Sequence, residues 1–388
     1  MMAHFAFVSA PASGHVNPTL PLVEELVRRG HRVSYATGPA TVEDAVAAGA
    51  SPVVLPSQLP PGLAARGGFT AEQLAVTMEY YLDDARACFP VLAEHFAADL
   101  PQVVCYDSVT FTGRMLAGLL GVREVSLVPT FAENESFSAA QVYLPADFDH
   151  THPRLLAAVQ DMGKFTQDHG FLDGPNLMFG HVPPTSVVFV PREFQPAGDT
   201  FDERFHFVGP SLSSRQISGR WSPRSPGPVL LISLGTVFND RPEFYRACIE
   251  AFGDSDWQVV MAVGGLDRHA LGPVPANVEV HAQVPQVAVL RHAEVFLSHA
   301  GMNSAMESLY HGVPIVALPQ IPEQQAIARR AQDLQVATTL TDPTVQDLRD
   351  AVRTARSYRP RAAALSRIVR AAGGASRAAD VLEELLPH

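Results

Sequence analysis

Short apolar runs, each the length of a buried strand, alternate along the chain with amphipathic stretches that stop at glycine. Phe5-Ala6-Phe7-Val8 is the first run, Ser9 to Pro18 is a loop of small residues, and Leu20 to Arg29 has helical spacing ending at Gly30. The series continues with a strand at His31 to Ala36, a helix at Val42 to Ala48 closed by Gly49, and strands at Val53 to Leu55, Val103 to Tyr106 and Val125 to Val128. Helical patterns at Thr70 to Arg86 and Val91 to Phe96 fall among them, with a further helix predicted from Ser108 to Leu120. Near-continuous apolar strands separated by helices predict a doubly wound parallel α/β sheet. From Ala132 to Pro184 the pattern weakens to loops and one helical stretch, Arg154 to His169, before a late strand at Val187 to Val190.

Between Gly209-Pro210 and Pro228 the chain turns to Ser, Arg, Pro and Gly, which predicts an interdomain linker. A second α/β series then starts at Val229 to Ser233. It runs through a helix at Arg241 to Phe252 and strands at Gln258 to Val263, Val278 to Val280, Val295 to Leu297 and Ile315 to Leu318. Ala362 to Leu386 is helical with a break at Gly373-Gly374. The expected domains are therefore 1–209 and 229–388, joined by 210–228, with the last helix packing back on the first domain.

The most informative stretch is Ser298-His299-Ala300-Gly301-Met302-Asn303-Ser304-Ala305-Met306-Glu307, set between two of those strands. Strand, small-residue turn and helix make a βα unit. The helix begins near Gly301 to Asn303, so its open backbone N–H groups and positive dipole end suit an anion, above all a pyrophosphate. His299 at the strand tip has a donor for a phosphate oxygen. Glu307 shares a helix face with Asn303, one turn inside, where a carboxylate suits ribose hydroxyls. Ser304 lies in the same opening turn. By themselves these residues are equally consistent with an ordinary βα turn carrying surface polar groups.

Continued through Pro319-Gln320-Ile321-Pro322-Glu323-Gln324, this run resembles the nucleotide-sugar signature of family 1 glycosyltransferases. The variant is that of the bacterial macrolide glycosyltransferases, with the same His-Ala-Gly, the same Glu and an acidic-Gln pair. The resemblance implies the GT-B fold, an α/β architecture of two Rossmann-like domains facing across a cleft. It implies an inverting, metal-independent transfer of a hexose, most simply glucose, from a UDP-sugar co-substrate to a hydroxyl of a macrolide, flavonoid or other phenol, giving a β-glycoside. No further cofactor is implied, and the protein is expected as a monomer or homodimer.

In the first domain, Gly14-His15-Val16-Asn17-Pro18 puts one imidazole at the C-terminal end of the first strand. Open α/β sheets bind ligands there, and histidine is the side chain best suited to take a proton near neutral pH. Asp107 ends another strand on the same sheet edge and is read either as a helix N-cap or as the carboxylate that orients the base. The family carries its catalytic His and Asp in these contexts, so the resemblance makes His15 the base and Asp107 its partner.

In the second domain, Ser233-Leu234-Gly235-Thr236 is a turn of small residues at a strand end. The resemblance implies that Ser233, Gly235 and Thr236 approach the diphosphate, with His299, Gly301 and Asn303. Glu323 and Gln324 match the pair that bonds the donor sugar, supplying acceptors and a donor together. Gln283-Val284-Pro285-Gln286 matches the base-binding turn, where relatives usually carry a Trp that stacks on uracil. Gln283 stacks less well, which leaves a thymidine-diphosphate deoxysugar open as the alternative donor. On the acceptor side Phe69, Met78, Tyr81, Phe111, Phe131 and Phe137 are the aromatic and apolar candidates.

Composition narrows the rest. The 388 residues carry a formal net charge of −12, which disfavours nucleic acid or an anionic membrane as partner. No apolar run reaches membrane-spanning length. The N-terminus lacks a basic region before its first strand, and the 3 cysteines are scattered. Both point to the cytoplasm. Asp147-Phe148-Asp149 and Asp254-Ser255-Asp256 are DxD triplets of the kind that bind metal elsewhere; here a solvated loop and a helix end are the simpler reading. Two further rivals remain: a sugar epimerase, and a non-catalytic nucleotide-sugar-binding partner, which would need no base.

Overall fold

A computed structural model describes residues 2–59, 70–171, 182–235 and 239–387. The chain divides into two compact units, Met1–Ser213 with Ala372–His388, and Ser214–Ala371.

The first unit holds one parallel sheet of seven strands. They are β1 (His4–Val8), β2 (Arg32–Thr37), β3 (Ser51–Val54), β4 (Val103–Asp107), β5 (Arg123–Val128), β6 (Ser186–Val188) and β7 (Phe205–Phe207), in the order β3-β2-β1-β4-β5-β6-β7. The second unit holds a six-stranded parallel sheet of β8 (Val229–Ser233), β9 (Gln258–Ala262), β10 (Val278–His281), β11 (Ala293–Ser298), β12 (Ile315–Ala317) and β13 (Ala337–Thr339), in the order β10-β9-β8-β11-β12-β13. Helices cover both faces, so successive residues of a strand are buried on opposite sides. Phe5 and Phe7 join one core and Ala6 and Val8 the other; Leu230 and Ile232, then Val229 and Leu231, do the same in the second unit. That double burial is why these strands have no polar alternation.

Several elements differ from the sequence expectation. The patterns at Thr70 to Arg86 and Val91 to Phe96 are one helix, Ala71–Ala98, which runs through Pro90. Pro90 cannot donate to the preceding turn, but buried Cys88, Phe89, Leu92 and Phe96 continue the packing face across it. The helix after β4 starts at Phe111, not Ser108, because Asp107 opens a turn first. β7, β13 and the helix Gln286–Leu290 are too short to register as patterns.

The stretch expected as the interdomain linker, 210–228, is anchored to the second unit at Arg224 and Ser225. Gln258 and Glu279 are buried, and buried polar groups need partners. Gln258 Oε1 accepts from the backbone N–H of Arg224 (2.9 Å) and Ser225 (3.3 Å), while its Nε2 donates to Glu279 (2.7 Å). Residues from Ser214 onward therefore belong with the second unit.

The last helix, Gly374–Glu384, belongs to the first unit. Ala378, Ala379, Val381 and Leu382 join the core that contains Leu22, Val23 and Leu26. The Arg29 guanidinium donates to Asp380 (2.7 Å) and Glu383 (2.6 Å), and His31 Nε2 lies 2.8 Å from Glu383. No helix among the described residues is long and apolar enough to cross a membrane.

Removing the buried Leu382 side chain leaves a cavity under this helix. Leu382→Ala should lower the stability of the first unit by about 2–5 kcal/mol. Urea unfolding followed by fluorescence checks it, with an earlier first transition as the expected result.

Candidate active site

In each sheet the strand order reverses once, between β1 and β4 and between β8 and β11. At a reversal the crossover helices diverge to opposite faces, so the carboxyl ends of the two strands are left open to ligands. The candidate residues gather at these two places.

In the first unit the loop after β1 contains a short helix, Ser13–Val16, which carries His15. Asp107 ends β4, next to β1 in the sheet. His15 Nδ1 lies 2.6 Å from Asp107 Oδ2. Asp107 is buried, with 2 % of its side chain accessible, while His15 keeps 28 %. The other carboxylate oxygen accepts from the Val109 N–H (3.1 Å), which fixes the group. Asp107 is thus an orienting carboxylate in a turn, and the helix cap falls to Thr110. A carboxylate this close to Nδ1 favours the proton on that nitrogen, so the neutral ring presents Nε2 as its lone-pair nitrogen, the tautomer a general base needs.

In the second unit, β8 and β11 end side by side at Ser233 and Ser298. Each serine hydroxyl accepts from an amide two residues on, Gly235 N–H at 3.4 Å and Ala300 N–H at 3.2 Å, so both strands turn away in the same manner. The His299 ring lies in the slot between these turns. A Cβ on Gly235 would sit 2.7 Å from its Cε1, and one on Gly301 would sit 2.4 Å from its Nε2. Gly235 also has φ +79°, where a side chain is strained. Burial holds the His299 pKa down to about 4, with the Ser233 backbone opposing, so the ring is neutral at physiological pH. Gly301 caps the helix Met302–Tyr310. The first helical bond runs from Ala305 N–H to the Gly301 carbonyl (2.9 Å), so the amides before it have no intrahelical carbonyl and point out of the turn. Ala300 takes φ 61°, an uncommon left-handed conformation for a residue with a Cβ, and it swings the chain from the strand into this helix.

Gln286, Ser304 and Glu307 meet. Gln286 Nε2 donates to Ser304 Oγ (3.2 Å) and to Glu307 Oε2 (2.7 Å). The packing around Glu307 pushes its pKa up to about 7; the Gln286 bond opposes that shift. Gln216 Nε2 reaches the other carboxylate oxygen at 3.5 Å. It comes from the stretch expected to be linker, so nothing in its surroundings marked it. Gln283 is exposed beyond β10, and Val284 packs against the Phe296 core. Glu323 and Gln324 open the helix Pro322–Asp333 after β12. Gln324 is 8 % exposed, and its Oε1 accepts from the Gln320 backbone N–H (2.8 Å). Asn303 lies in the first turn of its helix. Thr236 and Phe69 lie outside the described residues.

The acceptor-side candidates are mostly packed. Met78 and Phe111 are buried in the cluster formed with Phe89, Leu155 and Phe165, and partly buried Tyr81 lies against it. Phe131 stacks on Phe194 at 6.1 Å, and Phe137 packs on Phe201 at 6.4 Å. In these places they shape the walls of the unit as core residues do. Asp149 accepts from Thr151 (2.9 and 2.7 Å), and Asp254 sits in the turn after the helix Pro242–Phe252. Among the described residues no group of three or more His, Cys, Asp and Glu is placed to hold a metal ion.

A family model described as UDP-glucoronosyl and UDP-glucosyl transferase matches residues 220–372. The NDP-glycosyltransferase YjiC of Bacillus licheniformis is 38% identical over 402 residues, spanning 99% of this chain and 98% of the relative. Demethyllactenocin mycarosyltransferase of Streptomyces fradiae is 37% identical, over 99% of this chain and 87% of its own. Among solved structures, the glycotransferase of kitacinnamycin matches with a TM-score of 0.87 at 35% identity, covering 100% of this chain and 99% of that one. Two parallel α/β units with their candidate residues at the strand reversals, and full-length matches of this strength, make the chain a glycosyltransferase of family 1, the UDP-glucoronosyl and UDP-glucosyl transferase family, with the GT-B fold.

Proposed function

We propose that this enzyme moves a hexose, glucose in the first instance, from a UDP-sugar to a hydroxyl of a lipophilic natural product such as a macrolide, flavonoid or other phenol, with inversion and without a metal. The observation that carries the proposal is the 2.6 Å contact between His15 Nδ1 and Asp107 Oδ2, because a binding protein has no use for an oriented base. His15 Nε2 takes the acceptor's hydroxyl proton. The oxygen attacks the anomeric carbon as its bond to the β-phosphate oxygen breaks, and UDP leaves. An α-linked donor so gives a β-glycoside. Asp107 holds the tautomer and stabilises the imidazolium. At the other end, the open turn before Met302–Tyr310 and a neutral His299 donate to the diphosphate as its charge grows, which is electrostatic stabilisation of a leaving group. Glu307 accepts from the ribose hydroxyls, Gln283 and Gln286 flank the base, and Glu323 and Gln324 bond the sugar. The named relatives, among them an enzyme of demethyllactenocin, support a natural-product acceptor.

A second reading, a thymidine-diphosphate deoxysugar as donor, is favoured by two observations. The Streptomyces fradiae relative is named for a mycarosyl group, and Gln283 stands exposed where a stacking Trp is usual. Relative affinity for UDP and TDP separates the two readings.

The direct test is product mass after incubation with UDP-glucose and a panel of macrolides and phenols, with chelator present. Wild type should show a hexose increment. His15→Ala should lower kcat/KM by about 10²–10⁴-fold, and Asp107→Asn by about tenfold or more. An increment that survives His15→Ala at the wild-type rate sinks the mechanism.

Glu307 gives a pH signature. Its folded pKa is raised from 4.5 to about 7, so in the empty protein its stability contribution is full below 4.5 and is lost as pH rises through about 7. Ribose hydroxyls need the ionised form, so UDP affinity should tighten as pH rises toward 8. Calorimetric titration of wild type against Glu307→Gln should show the variant losing that part of the dependence and binding more weakly throughout.

Gly301→Ala tests the histidine slot. A Cβ there meets the His299 ring, so the donor KM should rise by about tenfold to a hundredfold while the melting temperature stays near wild type.

A further inference from the structure

The loop between β12 and the helix Pro322–Asp333 contains a side-chain amide without a bonding partner among the described residues. Gln320 has both side-chain atoms, Oε1 and Nε2, shielded from solvent, and neither has a hydrogen-bond partner among the described residues. Its backbone is fully used: the N–H donates to Gln324 Oε1 at 2.8 Å, which also locks the Gln324 amide so that its Nε2 is the end left to donate. A buried primary amide with both ends unpaired costs stability, and an apolar side chain of the same shape would not. A group retained at such a cost is explained by a ligand that offers a donor and an acceptor side by side.

The sheet order says which part of a ligand that would be. Gln283 and Gln286 follow β10 at one edge, the two glycine turns follow β8 and β11 at the reversal, and Gln320 follows β12 on the far side of it. A nucleotide sugar laid along these strand ends, with its base toward β10 and its diphosphate over the reversal, carries its sugar to the end of β12. Neighbouring hydroxyls of a hexose each donate and accept, so a vicinal pair matches a primary amide; a deoxygenated position does not.

We infer that Gln320 binds two neighbouring hydroxyls of the donor sugar and so selects a fully hydroxylated hexose over a deoxysugar. The inference rests on the proposed nucleotide-sugar function, deepens it, and bears on the choice between its two donor readings. A site built to bond a hydroxyl rejects the analogue that lacks it, because its own polar group is then left unpaired.

The test uses Gln320→Met, close to isosteric, with Gln320→Leu as a second variant. Four readouts are compared with wild type: kcat/KM for UDP-glucose, kcat/KM for its 2-, 3-, 4- and 6-deoxy analogues, the inhibition constant of UDP alone, and the melting temperature of the unliganded protein. The expected result is a fall in kcat/KM for UDP-glucose of about tenfold to a hundredfold. The substitution should have almost no effect with at least one deoxy analogue, and UDP inhibition should stay within about twofold. The melting temperature should rise, since the unpaired amide is gone. A packing residue would instead lower the melting temperature and change all donors together. A wild type active on UDP-glucose whose Gln320 variants keep its kcat/KM, or lose it equally for every analogue and for UDP, overturns the assignment of Gln320 alone. A wild type that accepts only a deoxysugar donor overturns both this inference and the UDP-glucose reading.

Discussion

The reversal of strand order in each sheet is the constraint on which the candidate chemistry depends. Within a parallel sheet every strand presents its carboxyl end to the same edge, and crossover helices cover most of those ends. Only where the winding changes direction do two adjacent strands end without a helix between them. β1 with β4 and β8 with β11 are those pairs. Residues far apart in sequence, His15 with Asp107 and Gly235 with His299, become neighbours only because the strands that carry them are adjacent there.

The two places differ in their electrostatics. At the first, a buried carboxylate lies against a partly exposed imidazole, an arrangement suited to receiving a proton from outside. At the second, the histidine is kept neutral by burial, and the charge-stabilising elements are dipoles: a helix end and the amides of two tight turns. A neutral ring between glycines supplies directed hydrogen bonding without a fixed positive charge, which suits a diphosphate that must also be released. Glu307, one turn deeper, is poised between its two protonation states, so a ligand that donates hydrogen bonds to it shifts it to the ionised form.

Polar satisfaction separates structural from functional groups in the second unit. Gln258 and Glu279 are a buried amide and a buried carboxylate with partners, and they hold a loop in place. Gln320 is chemically the same as Gln258 but has its side chain unpaired among the described residues. The contrast within one unit turns a residue inside a recognised sequence run into a specific statement about the sugar.

The strands, the glycine-closed helices, the reversal-edge loops and the helix start after His299 were legible in the sequence because local chemistry fixes each of them. A run such as Val229 to Ser233 has no polar face to present to water, and a small-residue turn before Met302 leaves little choice of backbone. Helix continuity through Pro90 was not legible, since the local signal says break and only the buried face shared by Phe89 and Leu92 says otherwise. Nor were the anchoring of Arg224 by Gln258, the Gln216 approach to Glu307, or the packed state of Phe111 and Phe137. The sequence by itself determined which chemical groups stand at strand ends; the tertiary structure decided which of them touch, which are buried and which are left unpaired. Those outcomes depend on strand order and on atoms contributed from distant parts of the chain, and no local pattern carries that information.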